Sequence, residues 1–454
     1  MIASRSSQPA SAQSRREFIK RTAAVAAVAT GENLFKTPIY GQNQAPALGR
    51  IIGANNRINV AYIGTGKQGM EHVKLQKQFA QENNIAQVAV CDLYERHLDQ
   101  SRDFVGLKSA DAYRDHRKML ERKDIDAVLV ATVDNWHAQA SIDALDAGKH
   151  VFCEKPMTRY LEEAFEVYDK VKSTGKVYVI GSQGCMDPKW HKCAEWVKSG
   201  KLGSLVWGQG SYCRNNKNNS EWTYPVEPEA TEQNLDWNRW LGKAPKIPFN
   251  PEHYFSWHKY YAYNSGIIGN LLPHRFQPLM LATGNPEFPR RVVCTGTRKV
   301  STDRDITDTT HILVEFPSGL TLVIAGTTVN QVGLPEILRG RRGTVYFASQ
   351  GNKAELKPES IVADEMDAEE FNDRRPTERI EVLEKSWFDS IRSGKPPVAN
   401  VELAFRAQTA LCLAEMSERL GLALFYDDKD RSLKTGDGKV VRPLTYDTAV
   451  PRFG

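Results

Sequence analysis

Arg57-Ile-Asn-Val-Ala-Tyr-Ile63 runs directly into Gly64-Thr65-Gly66-Lys67-Gln68-Gly69. The first stretch is an apolar run bounded by polar residues, as a strand buried on both faces of a parallel sheet should be. The second has the spacing G-x-G-x-x-G, and Met70 to Ala80 reads as a helix. Alone, such a loop is a weak signal; between strand and helix it predicts a dinucleotide site. Gly64 permits the tight turn, Gly66 lets the backbone approach a pyrophosphate, and Gly69 lets helix and strand pack closely. The helix N-terminus then faces the phosphate charge. Thr65 and Gln68, inside the loop, are taken as cofactor contacts with the three glycines.

Working outward, Gln87-Val-Ala-Val-Cys91 is a second strand ending at Asp92, 23 residues past Gly69. A carboxylate at that offset of about 20 hydrogen-bonds the adenosine ribose hydroxyls and repels a 2′-phosphate. NAD is therefore favoured over NADP, although Arg96 nearby leaves NADP open. The plainer reading of Asp92 is a helix cap before Tyr94. Asp126-Ala-Val-Leu-Val-Ala131 is a third buried strand, Trp136 to Ala147 a helix stopped by Gly148, and His150-Val-Phe-Cys153 a fourth strand leading into Glu154-Lys155-Pro156. Strands alternating with helices predict a doubly wound parallel sheet. Ligands of such sheets sit at the carboxyl ends of the strands, where Gly64, Asp92, Thr132 and Glu154 fall.

A chain of 454 residues exceeds one ordinary core and predicts two domains. The net charge of +5 is modest and comes partly from Arg15, Arg16, Lys20 and Arg21, so nucleic-acid binding is not expected. The seven cysteines form no C-x-x-C pair, which removes zinc and thioredoxin-type readings and leaves mostly buried thiols and no metal site. Ser14-Arg15-Arg16-Glu17-Phe18-Ile19-Lys20, followed by the mild apolar run from Thr22 to Thr30, looks like a twin-arginine export signal. That run is far shorter than the ~20 residues that span a bilayer. A periplasmic protein is expected, with no stable membrane insertion after export. The twin-arginine route moves folded proteins, so the cofactor would leave the cytoplasm already bound. Residues 1–53 are assigned to signal and linker.

Three features together resemble the Gfo/Idh/MocA oxidoreductase family, named for glucose–fructose oxidoreductase and inositol dehydrogenase: the Gly64–Gly69 loop, Ala131-Thr-Val-Asp-Asn135-Trp-His137, and Ala147-Gly-Lys-His-Val-Phe-Cys-Glu154-Lys155-Pro156. The resemblance runs to the C-terminus. It implies a Rossmann domain over residues 54–182, then an α+β substrate and oligomerisation domain over 183–454 with a large open, mostly antiparallel sheet, and a homo-oligomer. It also implies that Lys155 is a catalytic cation beside nicotinamide and substrate hydroxyl. Glu154 would meet the cofactor's ribose, and Asn135 and His137 would be cofactor contacts. The plain alternative for Glu154 and Lys155 is a surface pair at a strand end.

In the second domain, Asp187 to Lys198 reads as a helix and Leu205 to Tyr212 as a strand. The aromatic runs Leu235 to Gly242 and Tyr254 to Tyr263 suit packing more than a sugar platform. Gly266-Ile-Ile-Gly269-Asn270-Leu-Leu-Pro-His274 places two polar residues four apart, on one face if the stretch is a single helix. By the resemblance, His274 is the base that takes the hydroxyl proton, a role suited to a neutral imidazole. The family commonly has Asp where Asn270 stands. An amide can orient but cannot supply the charge that would raise the basicity of His274. Two strands around Pro317-Ser-Gly319, a surface excursion from Lys353 to Arg379 and an amphipathic helix from Glu402 to Leu420 complete the reading.

The expected function is hydride transfer between a secondary hydroxyl of a sugar or polyol and a tightly bound nicotinamide cofactor. Two alternatives stay open: glycoside cleavage through transient oxidation and elimination, and non-catalytic sugar binding.

Overall fold

The computed structural model describes residues 57–448. The paired arginines and the rest of the proposed export signal lie outside them.

Six parallel strands form the first sheet: β1 Ile58–Ile63, β2 Ile85–Cys91, β3 Ala112–Tyr113, β4 Ala127–Val130, β5 His150–Glu154 and β6 Tyr178–Gly181. Their order is β3-β2-β1-β4-β5-β6, with the switch between β1 and β4 that opens a ligand crevice at the strand ends. β4 is buried along its whole length and β1 nearly so, as a sheet covered on both faces requires.

Ten strands form the second sheet: β7 Leu205–Cys213, β8 Arg291–Thr297, β9 Thr309–Glu315, β10 Thr321–Thr327, β11 Ile337–Gly340, β12 Gly343–Phe347, β13 Asn352–Pro358, β14 Glu369–Asp373, β15 Leu424–Asp427 and β16 Ser432–Thr435. The order is β14-β13-β12-β11-β7-β10-β9-β8-β15-β16. Only β7 and β10 pair in parallel, so the sheet is open and mostly antiparallel. β9 and β10 flank the Pro317-Ser-Gly319 turn as their sequence suggests. The polar stretch after Lys353 is not an excursion: β13 and β14 lie in it as the last two strands at one edge of the sheet. β14, the edge strand, buries no residue fully, and β13 buries only Asn352, Ala354 and Leu356 between polar neighbours, so neither shows an apolar run.

The helix Val401–Leu420 starts at an Asn400 cap whose Oδ1 accepts from the Leu403 N–H, and it stops at Gly421 with φ +68. It is not amphipathic. Residues from Val401 to Glu418 are buried on nearly every side, because the helix runs between the helix Leu161–Thr174, the helix Pro273–Ala282 and β8. Its polar residues point inward to partners that leave β5. Gln408 Oε1 accepts from the Met157 N–H at 3.0 Å and its Nε2 donates to Thr158 O at 2.9 Å. Glu415 takes the Arg159 guanidinium in a two-bonded pair at 2.6 and 2.8 Å, and Arg159 also donates to Tyr261 O. Seven cysteines are free thiols, and all but Cys213 are buried.

Removing one partner of a buried pair leaves the other charge uncompensated, at a cost of about 3–5 kcal/mol. Glu415→Ala is therefore expected to lower unfolding free energy by about that amount in urea titration. A loss similar to that of a surface control, Lys172→Ala, would show that the pair does not lock the two sheets together.

Candidate active site

The glycine loop is held by its own contacts. The Gly64 N–H donates to Cys91 O at 2.9 Å, its φ is +83, and a Cβ there would lie 2.7 Å from Ala131 O. A Cβ on Gly69 would lie 2.0 Å from Gly64 O. Gly66 differs. A Cβ there would meet only the His97 ring, at an ordinary 3.6 Å, so the fold itself does not demand glycine at that position. The helix Lys67–Gln78 starts at Gly66 with no side-chain cap and no acidic residue in its first turn. Unfilled N–H groups and a bare backbone fit an anionic pyrophosphate. Thr65, by contrast, is turned inward: its N–H donates to Asp92 Oδ2 at 2.7 Å and its hydroxyl to His97 O.

Asp92 lines the cleft and also braces it. Its second oxygen accepts from the Tyr94 N–H at 2.9 Å, so it caps the turn before the helix Glu95–Val105. Arg96, the residue that left NADP open, is paired with Glu227 and Glu229. Its charge is spent.

The cleft has a volume of about 630 Å³. Of the expected residues, Gly64, Gly66, Gln68, Asp92 and Thr132 line it. Thr65, Gly69, Asn135, His137, Glu154, Lys155, Asn270 and His274 do not; Asn135 and His137 hold its walls. Asn135 Nδ2 donates to Leu241 O at 3.2 Å. The His137 ring nitrogens lie 2.7 Å from Pro156 O and 3.1 Å from Thr132 O, and burial pulls its pKa down. Trp136, between them, does face the cleft.

Across the cleft lies a strap from the second half of the chain. Asn234 O accepts from the Glu95 N–H, the Asp236 N–H donates to Leu93 O, and Trp136 Nε1 donates to Trp240 O at 2.8 Å. Tyr94 and Leu235 form an isolated antiparallel bridge. The aromatic runs thus pack on the first domain, with Trp237 and Trp240 stacked 4.8 Å apart.

A second group of residues stands behind Gln68, whose Nε2 donates to Glu154 Oε1 at 3.1 Å. Glu154 also accepts from His72 Nε2 at 2.8 Å. Burial pushes the Glu154 carboxyl up, but the His72 hydrogen bond and the charges of His72 and Lys155 outweigh it and hold it at about 2. Lys155 Nζ donates to the backbone carbonyl of Asn270 at 3.1 Å. The single helix expected through Asn270 and His274 is broken: Ile267–Asn270 ends, and Pro273 starts Pro273–Ala282. The Asn270 amide turns away to Asn264 Oδ1 and Gly266 O, so it is the Asn270 carbonyl that orients Lys155. Burial and the Lys155 charge push the His274 ring down to about 3. Its ring lies 5.6 Å from that of Tyr212, whose hydroxyl accepts from Arg214 at 2.9 Å. Arg214, Lys67 and Tyr224 line both the cleft and an adjoining cavity of about 570 Å³.

Sequence reasoning missed His72, Arg214, Tyr224 and Glu384. His72 sits inside an ordinary helix, Arg214 and Tyr224 follow a strand end in a polar loop, and Glu384 lies 312 residues from its partner. None carries a local signal. His258 lies in an aromatic run that was noted, and the fold puts it on the cleft wall.

Comparison with known proteins agrees with this architecture. The "Oxidoreductase family, NAD-binding Rossmann fold" pattern of the Gfo/Idh/MocA group matches residues 58–182, and the group's "C-terminal alpha/beta domain" matches 215–442. A glycosyl hydrolase family 109 protein of Shewanella woodyi is 30% identical over 184 residues, 39% of each chain. An alpha-N-acetylgalactosaminidase of Shewanella oneidensis is 26% identical over 211 residues, 44% of this chain and 45% of that one. The chain thus spans less than half the length of these curated relatives. Levoglucosan dehydrogenase in complex with NADH and levoglucosan superposes with a TM-score of 0.63 at 17% identity, over 81% of this chain and 99% of that one. An aldose-aldose oxidoreductase from Caulobacter crescentus does so at 0.61 and 16%, over 81% and 99%. These superpositions show a shared fold.

Two glycine variants separate packing from cofactor contact. Gly66→Ala should leave the melting temperature without NAD nearly unchanged yet remove most of the stabilisation that added NAD gives. Gly69→Ala should lower both. Equal behaviour of the two in thermal melts with and without NAD would contradict the assignment.

Proposed function

The chain belongs to the Gfo/Idh/MocA oxidoreductase family, and we propose that it transfers hydride between a secondary hydroxyl of a sugar or polyol and a tightly held NAD. The observation that carries this is the pairing of an anchored ammonium with a neutral imidazole: Lys155 on the Asn270 carbonyl, and His274, kept uncharged by burial and by Lys155. Bound NAD supplies the hydride acceptor. Lys155 positions the hydroxyl and stabilises the oxygen's developing negative charge. His274 takes the proton. The adjoining cavity, lined by Asn215, Asn216, Glu221, Trp222, Tyr224 and Gln331, offers polar groups for hydroxyls and ring faces for a sugar.

The strap over the cleft favours a second reading. Residues 234–242 bond to both sides of the crevice, at Leu93 and Glu95 and at Asn135 and Trp136, an arrangement suited to holding a nucleotide in place. A resident cofactor suits glycoside cleavage by transient oxidation and elimination, and relatives bear glycosidase names. Released nucleotide identified by mass, followed by assay of sugars and glycosides by nicotinamide absorbance, separates the readings. Net oxidation accumulates NADH; oxidation and elimination releases aglycone without it.

The paired arginines support twin-arginine export to the periplasm. Among the described residues no helix is long and apolar enough to cross a membrane. Arg15→Lys with Arg16→Lys is expected to leave the protein in the cytoplasm on cell fractionation. A homo-oligomer is supported by β8 and β9, which turn the cross-strand neighbours Val293 and Leu313 outward; light scattering reading one copy would exclude it.

His274→Ala should lower kcat by about 10²–10⁴-fold, the usual contribution of a positioned base. A base must be uncharged to act, and His274 stays uncharged above about 3. Wild-type turnover should therefore hold as pH falls from 8 to 5. A decline centred on the ordinary histidine value near 6.5, or a His274→Ala enzyme within a few-fold of wild type, would remove His274 from the role.

A further inference from the structure

His72 and Glu384 belong to the group behind the glycine loop but have no part in the function proposed above. The His72 ring is buried in full, with Phe152 edge-on at 5.3 Å. Its Nδ1 lies 2.7 Å from Glu384 Oε1, and its Nε2 lies 2.8 Å from Glu154 Oε1. Gln68 Nε2 also approaches the His72 Nε2, at 3.4 Å, while donating to Glu154 at 3.1 Å. An imidazole with a carboxylate oxygen at each nitrogen satisfies both only by donating from both, which makes it an imidazolium. A neutral ring would set one lone pair against a carboxylate in a site with no room to escape, at a cost comparable to leaving a buried charge unpaired.

We propose that His72 is a permanently charged positioning residue that holds Glu154 ionised and aimed at the cofactor's ribose, and that Glu384 is the counter-charge that keeps the second proton on its ring. This rests on the reading of Glu154 as a cofactor contact. Glu384 comes from the helix Ile380–Ser393, far outside the Rossmann segment. It is itself held: Gln76 Nε2 donates to Glu384 Oε1 at 2.9 Å, Tyr62 donates to Gln76 Oε1 at 2.6 Å, and Gln87 donates to the Tyr62 hydroxyl at 2.8 Å. The chain of bonds leaves the carboxylate one orientation. On the other side of Glu154, Lys155 and His274 also act on it, and Asp134, His137 and Cys153 are within its electrostatic reach. Burial alone would strip the proton from His72, but hydrogen bonds and charge from Glu154 and Glu384 hold its pKa at about 10. The stabilisation from this charge is complete below the free histidine value and is lost only as pH rises through about 10. Glu154 has the opposite sense. Its stabilisation is present above the free carboxyl value and is lost as pH falls toward about 2. Between those limits the arrangement is insensitive to pH.

The test is the affinity of the full-length protein, stripped of nucleotide, for added NAD as a function of pH. Wild type should bind with one affinity from pH 6 to 9. In Glu384→Gln the amide can donate to a neutral ring, so the fold is kept but the ring loses its second proton through the ordinary range near 6.5. NAD binding should then weaken by roughly ten-fold or more between pH 6 and 8.5, a step absent from wild type. His72→Gln should bind weakly at every pH, with no step. A Glu384→Gln protein with flat, wild-type affinity overturns the proposal. Should that variant fail to fold, ¹⁵N-histidine spectra of the wild-type chain decide: both His72 nitrogens protonated at pH 8.5 supports it, and a neutral ring sinks it. Since the readouts are NAD binding and a ring charge, a failure of sugar turnover would overturn the hydride-transfer reading and leave this result standing.

Discussion

Arg159 and Glu415 meet in the interior, 256 residues apart in the chain, with both side chains almost wholly out of solvent. Two charges in such a place cost several kcal/mol each to desolvate, and only close geometry with further partners repays it. The partners are present: Tyr261 O accepts from the Arg159 guanidinium, and Arg419 adds a second cation on Glu415 at 3.1 Å. Gln408 bonds the same turn at Met157 and Thr158. The turn leaving β5 carries Lys155, so the helix that closes the second domain also determines where that ammonium stands. The placement of the active site against the second sheet depends on this joint.

Charge at the site is arranged by burial and by pairs rather than by net composition. Glu154 is held ionised although buried, because His72 and Lys155 flank it. His274 is held neutral although it stands near a carboxylate, because burial and Lys155 outweigh that carboxylate. One ammonium thus pushes an acid and a base the same way, downward for both. Asn270 fits this pattern. A negative side chain there would raise His274; the amide turns into the loop instead and lends only its carbonyl to Lys155.

The strap gives the cofactor crevice a character that neither domain has alone. Its bonds to Leu93, Glu95, Asn135 and Trp136 sit on the first domain's strand ends, over the groove where a dinucleotide would lie. The aromatic runs are largely spent on this closure, with Trp237, Trp240 and Tyr263 in one buried cluster. The polar cavity beside Arg214 and Tyr224 lies outside that closure.

Much of the first domain was legible before any coordinates. Its strands are buried on both faces and read as unbroken apolar runs, and its loop demands glycine where a Cβ would strike backbone at Gly64 and Gly69. Local chemistry of that kind leaves its mark within a dozen residues. The family resemblance and the NAD site followed from such marks, and the resemblance in turn implied the open antiparallel sheet. Others misled: the central helix looked amphipathic because Glu415 and Glu418 are charged, and β13 and β14 looked like loop because their few buried residues stand among charged ones. What only the tertiary structure decided was which polar groups meet. Asn135 and His137 turned out to support the cleft rather than line it, and His72, Glu384 and Arg214 entered the site without any local signal. A hydrogen bond between residues hundreds of positions apart depends on the path of the whole chain, and no window of sequence contains it.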